Sequence, residues 1–484
     1  MNWAHSLKRA SLCGLIAVLL TSLKSFAVLR ILSPEEVGIW KSAMLLFLVA
    51  GLVRLGVARG MSLQVPLLRG QERNDEVERV ASASGFFLFQ VGLVTAAMAL
   101  VGAAAISGPR WKIAVASMAG VLLLAQVHQF LRELAIANQL QQLRSRELIL
   151  GAVVDCVGGL LLAYWFGLAG LGVATMLAIA VPALYLWRNQ KLPKAYGWDG
   201  KRVRELVRLG LPSSMLDASF NAARYADVLV LTPMLGAVAV GHYSISLLVN
   251  DLALFVTRVS VFEIISPNLM KEYGRTGLAS DAAAVYEEPA QFFSYVLPPV
   301  LGVASFWLPS VVALLLPAYQ PGAAAGQITV WGCYFLALNA SVSAFLVASG
   351  KIQTALRLFL LSVPLAAGLH GGVITLGLGL EGVAAVSAGV LGLITFSQLW
   401  MCRRAAGSKV RPTCEFLMSL AFPLLAAIAL WATIRDAVAS PASQSVLLLF
   451  MYLPVVVVYE ARFGLIRRIL WRKKERVGRV LHAG

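Results

Sequence analysis

Lys24, Arg54, Arg59, Arg224 and Arg258 stand inside long apolar runs, where lipid would otherwise surround them. A charge at mid-bilayer depth costs between about 3 and more than 10 kcal/mol, so such residues face a bundle interior or a wet cavity. Cations held there need either acidic neighbours or an anionic ligand. Asp217 and Asp227 share a run with Arg224, Asp251 and Glu263 share one with Arg258, and Asp155 sits in another. Asp217 precedes Arg224 by two helical turns, as Asp251 precedes Arg258, and Arg224 and Asp227 at i, i+3 are spaced to pair directly. Two readings stand side by side. In one, these groups are ion pairs that hold helices in register. In the other, the guanidinium groups form a ladder in a low-dielectric cavity and bind phosphate oxygens through bidentate, charge-assisted hydrogen bonds. The carboxylates would then take up a coupling proton or a sodium ion. The set as a whole favours the cavity. Arg59 is close enough to the inner face to snorkel, and Arg30 closes the outer end of the first run.

The elements that must position these groups are membrane-spanning helices. A mean hydropathy of +0.78, with 59% apolar and 13% charged residues over 484 positions, excludes a soluble globular protein. A bilayer core needs about 20 helical residues to cross it, and lipid-facing backbone must bond to itself, so apolar runs of that length specify a helix bundle. Fourteen such runs are present: 11 to 29, 38 to 59, 81 to 105, 113 to 131, 148 to 166, 168 to 187, 209 to 231, 240 to 265, 290 to 312, 327 to 348, 358 to 378, 381 to 401, 414 to 433 and 444 to 461. The first continues past Lys24 without a small-residue cleavage site and reads as a retained helix rather than a signal peptide. At a rise of about 1.5 Å per residue, Lys24 and Arg224 lie about 20 Å up from the inner face, and Arg54 and Arg258 come down from outside into the inner half.

Charge orients the bundle. Of the 41 Lys and Arg residues, 31 fall in the termini and connections on one side of this span map, five on the other and five within spans. The positive-inside rule then puts both termini in the cytoplasm. The net charge of +17 is mostly this topology and calls for no nucleic-acid partner. The tail from 462 to 484 interleaves cations with Leu465, Ile469, Leu470 and Trp471, the pattern of an interfacial helix or a stop-transfer anchor on anionic lipid.

Catalytic signatures are missing. No GxxxxGK[ST], HExxH or GxSxG occurs, the five histidines form no ligand cluster, and the one GxGxxG, at 377 to 382, joins two apolar runs without a βαβ context. The five cysteines show no paired spacing. No catalytic residue, metal ligand or resident cofactor is therefore expected.

The chain also repeats itself. LSPEEVGIW from Leu32 aligns with LGAVAVGHY from Leu235, GLAGLGVAT from Gly167 with GLEGVAAVS from Gly379, and Ala137, Gln142 and Arg146 with Ala348, Gln353 and Arg357. The nearly constant offset predicts an all-α integral membrane protein of two pseudo-symmetric six-helix lobes, 1–200 and 201–404, around a central cavity. Two further helices (405–461) and the basic cytoplasmic tail (462–484) follow. Parallel repeats of this kind serve alternating access.

RILSPEEVGIW, the RLG at Arg54, RLGLPSSM from Arg208, LGAVAVGHYSIS from Leu235, FLVASGK and GLEGVAAVSAGV, taken in order, resemble the polysaccharide and O-antigen lipid flippases. These belong to the multidrug, oligosaccharidyl-lipid and polysaccharide exporter superfamily. The resemblance implies transfer of an undecaprenyl-diphosphate-linked oligosaccharide across a bacterial cytoplasmic membrane, without catalysis. It puts Lys24, Arg54, Arg224 and Arg258 in helices that line the cavity. Membrane lipids, and the polysaccharide polymerase and chain-length machinery, would be the partners. The peptidoglycan-precursor branch carries a glycine-rich segment running into Asp-Ala-Phe where this chain has SPEEVGIW, which disfavours that cargo. A cation-coupled multidrug exporter is the nearest alternative. A membrane glycan polymerase or ligase is the alternative from another class, although the chain offers none of the large outer loop such enzymes use.

Overall fold

The computed structural model describes residues 3–257, 279–348 and 352–463, which are helical apart from short connections. The helices are α1 (Trp3–Ile31), α2 (Pro34–Ala43), α3 (Leu45–Val53), α4 (Val57–Gly70), α5 (Asn74–Ala105), α6 (Pro109–Ala137), α7 (Gln141–Asn189), α8 (Gly200–Arg224), α9 (Ala226–Thr257), α10 (Ala279–Leu315), α11 (Ala323–Ala348), α12 (Ile352–Thr375), α13 (Gly379–Ala405), α14 (Val410–Ala437) and α15 (Pro441–Phe463). Among the described residues, eleven stretches are long and apolar enough to cross a membrane. The protein is an all-α, multi-pass membrane protein.

Two of those stretches double back. Gly167 takes φ 57 inside α7, a conformation open to glycine, and the arms on either side run antiparallel. Gly170 abuts the Leu162 carbonyl, Gly158 faces Ala174, and Gly151 faces Pro182, so the contacts close on the glycine like a zip. Gly236, at φ 80, does the same for α9. Tyr243 Oη donates to Asp227 Oδ2 at 2.9 Å, although the two are 16 residues apart and a straight helix would separate them by about 24 Å.

The chain divides into two compact units, residues 1–244 with 352–380 and residues 245–351 with 381–484. Compactness and sequence repetition are different properties, and they divide this chain at different places. In the first unit, α5 packs on α6, α1 and α6 on α7, and α4 and α12 on α8. Its core includes Met61, Val65, Leu88, Phe130, Leu131, Leu186 and Leu206. α2 starts at a capping box in which Ser33 and Glu36 satisfy each other's backbone donors behind Pro34. It meets the α9 reversal reciprocally. A Cβ on Gly38 would lie 1.7 Å from the Ala237 carbonyl oxygen, and one on Gly241 would lie 1.8 Å from that of Pro34. Ser42 and Thr232 hydroxyls extend the contact at 2.8 Å.

The second unit is sewn together by aromatic side chains. Trp431 of α14 stacks on Phe306 and meets Trp331 edge-on, and Tyr459 of α15 packs on Tyr295 and Phe422. Pro423 has no N–H for the carbonyl four residues earlier, that of Ser419. Tyr459 Oη donates to that orphaned oxygen at 2.8 Å, and Tyr334 Oη donates to the neighbouring Leu420 carbonyl at 2.7 Å. This is how a membrane helix tolerates proline: hydroxyls from neighbouring helices supply the missing donors.

Candidate functional site

Three of the four cations that sequence reasoning weights most, Lys24, Arg54 and Arg224, belong to the first unit. Arg258 and Glu263, with the tail from residue 464, lie outside the described residues. Each of the three is held in a different way.

Lys24 is committed to a partner. Its Nζ sits 2.7 Å from Asp155 Oδ1, both side chains being largely buried at 15% and 20% exposure. α1 lies along α7, and the lysine stem occupies the room left by Gly159, where a Cβ would come within 2.9 Å of Cε. Asp155 is therefore the local neutraliser that a buried ammonium requires.

Arg54 is held by the backbone. The chain breaks between α3 and α4, with Leu55 at φ 49 and Gly56 at φ 74. A left-handed leucine costs about 1–2 kcal/mol, the kind of local strain that a fold retains where it fixes a side chain. The break is pinned by α8: a Cβ at Gly56 would lie 2.5 Å from the Gly210 carbonyl carbon, and one at Gly60 would lie 2.2 Å from the Leu206 oxygen. Arg54 Nε is buried without a hydrogen-bond partner. The flanking helices α3 and α4 both pack on α6, which carries Glu133. Glu133 is 7% exposed, accepts one bond from Gln129 Nε2 at 3.0 Å, and keeps its buried Oε2 unpaired.

α8 carries the third cation on a polar stripe. Ser214, Asp217, Asn221 and Arg224 recur at three- and four-residue spacing, which aligns them on one face. Asp217 is exposed, and Asn221 Nδ2 donates to its carbonyl at 2.9 Å. The Arg224 guanidinium lies over the Tyr225 ring at 4.8 Å from the centroid, a cation–π contact. Asp227, 1% exposed, accepts from the Val228 N–H at 2.7 Å and from Tyr243 Oη. Asp251 is half-buried in the second unit, while Arg59 and Arg30 are exposed.

Sequence reasoning missed the polar face of α6. Span prediction ends the fourth run at 131, which leaves Glu133 in a cytoplasmic connection, whereas α6 continues to Ala137 and buries it. Gln126, Gln129 and Glu133 at i, i+3, i+7 were the available signal, polar residues repeating at helical period through the end of an apolar run. Gln126 is fully buried with both amide atoms unpaired. On the same helix, His128 Nε2 meets Glu147 Oε1 of α7 at 2.8 Å. The arrangement offers a half-buried guanidinium with an unpaired Nε donor, on a break whose flanking helices pack on the amide-bearing α6, which suits recognition of an anion.

The sequence profile of a family described as polysaccharide biosynthesis protein matches residues 10–259, a region that contains Lys24, Arg54, Glu133, Asp155 and Arg224. Among curated proteins none matches the chain. Among solved structures, the lipid II flippase MurJ in an inward closed conformation is similar with a TM-score of 0.70 over 94% of this chain and 99% of that one, at 11% identity. An inward-facing multidrug resistance MATE family transporter of the MOP superfamily is similar with a TM-score of 0.67 over 81% of this chain and 94% of that one, at 15% identity. At such identities the likeness is one of fold. The chain thus belongs to the polysaccharide biosynthesis protein family, and its fold is that of the MOP-superfamily transporters.

Proposed function

We propose that the protein is a flippase that moves an undecaprenyl-diphosphate-linked oligosaccharide from the cytoplasmic to the outer leaflet of a bacterial inner membrane by alternating access. The observation that carries the reading is Arg54, a half-buried guanidinium whose Nε is buried and unpaired, in a chain of the polysaccharide biosynthesis family. A diphosphate offers the oxygen pairs that such a group binds bidentately. The lipid tail would stay in the bilayer while the glycan passes.

Several features support the finer picture. Among the described residues, α11 and the separate arms of the Gly167 and Gly236 reversals add to the eleven apolar stretches, which supports a reading with about fourteen spans. The reciprocal contact of Pro34 with Gly241 and of Gly38 with Ala237 joins segments aligned by the sequence repeat, as expected of the 1–200 and 201–404 lobes. Cytoplasmic termini follow from the charge bias, and the polymerase and chain-length machinery are the natural partners of such a carrier. Multidrug exporters share the fold. In this chain the half-buried Asp155 is spent on Lys24, which suits an anionic cargo better than a cationic drug.

The test is R54A in the native host. It should abolish surface glycan, with lipid-linked oligosaccharide accumulating on the inner leaflet, while the protein is present at wild-type level; R54K should restore part of the activity. Wild-type surface glycan in R54A overturns the assignment of Arg54 to the cargo.

A further inference from the structure

We infer that the connection between α7 and α8, together with the first turns of α8, is a docking site for anionic phospholipid headgroups of the inner leaflet. The inference is independent of the cargo.

Between Arg188 and Arg208 the chain carries seven cations and two acids, Asp199 and Glu205. Such an excess would say little in a loose loop, but this connection is built against the bundle. The Lys194 N–H donates to Glu78 Oε1 at 3.0 Å and the Gly197 N–H to Ser82 Oγ at 3.1 Å, which lays the segment along α5. Tyr196 meets Phe130 edge-on and fills the space beside Gly85, where a Cβ would lie 2.6 Å from its ring. Trp198 then packs on Phe86 and Phe87, with centroids 6.4 Å from each, yet stays 62% exposed. Arg79 is the last charged residue of α5, and Phe86 lies about 10 Å further along the helix. The indole is thus held beside the first apolar turns of a spanning helix, the depth at which tryptophan sits between headgroups and acyl chains.

α8 continues the pattern. Lys201, Arg204 and Arg208 are exposed on one face of it. Val203, Leu206 and Gly210 are buried on the opposite face, where Leu206 meets Gly60 and Gly210 meets Gly56. Arg202, between the two faces, is the cation that the fold neutralises: it bonds Glu76 at 3.2 Å and reaches Asp199 at 3.9 Å. Among the described residues no ion pair engages Lys201, Arg204 or Arg208, and Glu205 takes part in none. An indole at the boundary, followed in the chain by three unpaired cations on one helix face, matches an anionic headgroup: its acyl chains flank the ring while its phosphate meets the guanidinium and ammonium groups. A zwitterionic headgroup brings its own ammonium and gains less. A soluble acidic protein would meet the cations but leave the indole among lipids of either kind.

The experiment uses full-length protein in nanodiscs of phosphatidylcholine with a minor share of phosphatidylglycerol. In one set the phosphatidylglycerol is brominated near the headgroup, and in the other an equal amount of the phosphatidylcholine is. Bromine quenches nearby tryptophan, and the part due to Trp198 is the difference between wild type and W198F. Brominated phosphatidylglycerol should quench Trp198 about threefold more than brominated phosphatidylcholine. K201Q/R204Q/R208Q should bring the two to equality. Equal quenching in the wild type overturns the inference and leaves the cations to a soluble acidic partner. No quenching of Trp198 by either lipid puts the indole in water and overturns it as well. Should W198F fail to accumulate, the total quenching of wild type and of the triple variant, whose altered side chains are all exposed, is compared directly. The excess produced by phosphatidylglycerol should then fall in the triple variant, and an unchanged excess overturns the inference.

Discussion

The α1–α7 seam and the packing of α3 and α4 on α6 each carry a cation and a carboxylate, but only the first pair is in contact among the described residues. Lys24 and Asp155 meet at 2.7 Å across helices 131 residues apart in sequence. Arg54 and Glu133 do not bond each other, and each keeps a buried polar atom unpaired, Nε in one and Oε2 in the other. A contact pair spends its hydrogen-bonding capacity on the fold, whereas a separated pair keeps that capacity for a ligand. Hydropathy cannot tell the two apart, because it registers that a charge is buried and not what meets it.

The largest expected effect lies at the open pair, where R54A should eliminate surface glycan without loss of protein. At the closed pair the opposite order holds. D155A strands the Lys24 ammonium and should destabilise the protein by about 3 kcal/mol, the low end for breaking a buried pair. This would be seen as a lower melting temperature in detergent. K24M/D155L, which removes both charges, should recover most of that loss and retain surface glycan. If the double variant is stable but transports nothing, Lys24 also serves the cargo and the contrast between the seams fails. A smaller effect is expected in the aromatic second unit. Y459F removes the donor that serves the Ser419 carbonyl freed by Pro423 and should cost about 1–2 kcal/mol of thermal stability, with no change in surface glycan. A glycan defect in stable Y459F protein would show that the second unit contributes more than scaffolding.

Much of this was legible in the sequence. Lys24 and Arg54 stand out because each interrupts an apolar run, and the runs end beside the glycine reversals, one at Gly167 itself and one between 231 and 240, where Gly236 turns the chain. The pairing was not legible. Asp155 reads as one isolated acid among several, and only the packing of α1 on α7 brings it to Lys24. Glu133 was hidden for another reason. It follows Arg132 at the end of an apolar run, where charge ordinarily marks the membrane surface, and its burial depends on α4 and α7 covering the end of α6. The Leu55–Gly56 break was equally invisible, because leucine gives no warning of a left-handed backbone.

The central claim, that this is a carrier of a prenyl-linked glycan gripped by Arg54, is tested most directly by leaflet exchange in proteoliposomes. Purified protein would be reconstituted with a fluorescent undecaprenyl-diphosphate oligosaccharide, and a membrane-impermeant quencher would report how much reaches the far leaflet. Wild-type protein should speed crossing well above protein-free vesicles, and folded R54A should not. Crossing no faster with wild-type protein than without it, or equally fast with R54A, would contradict the account.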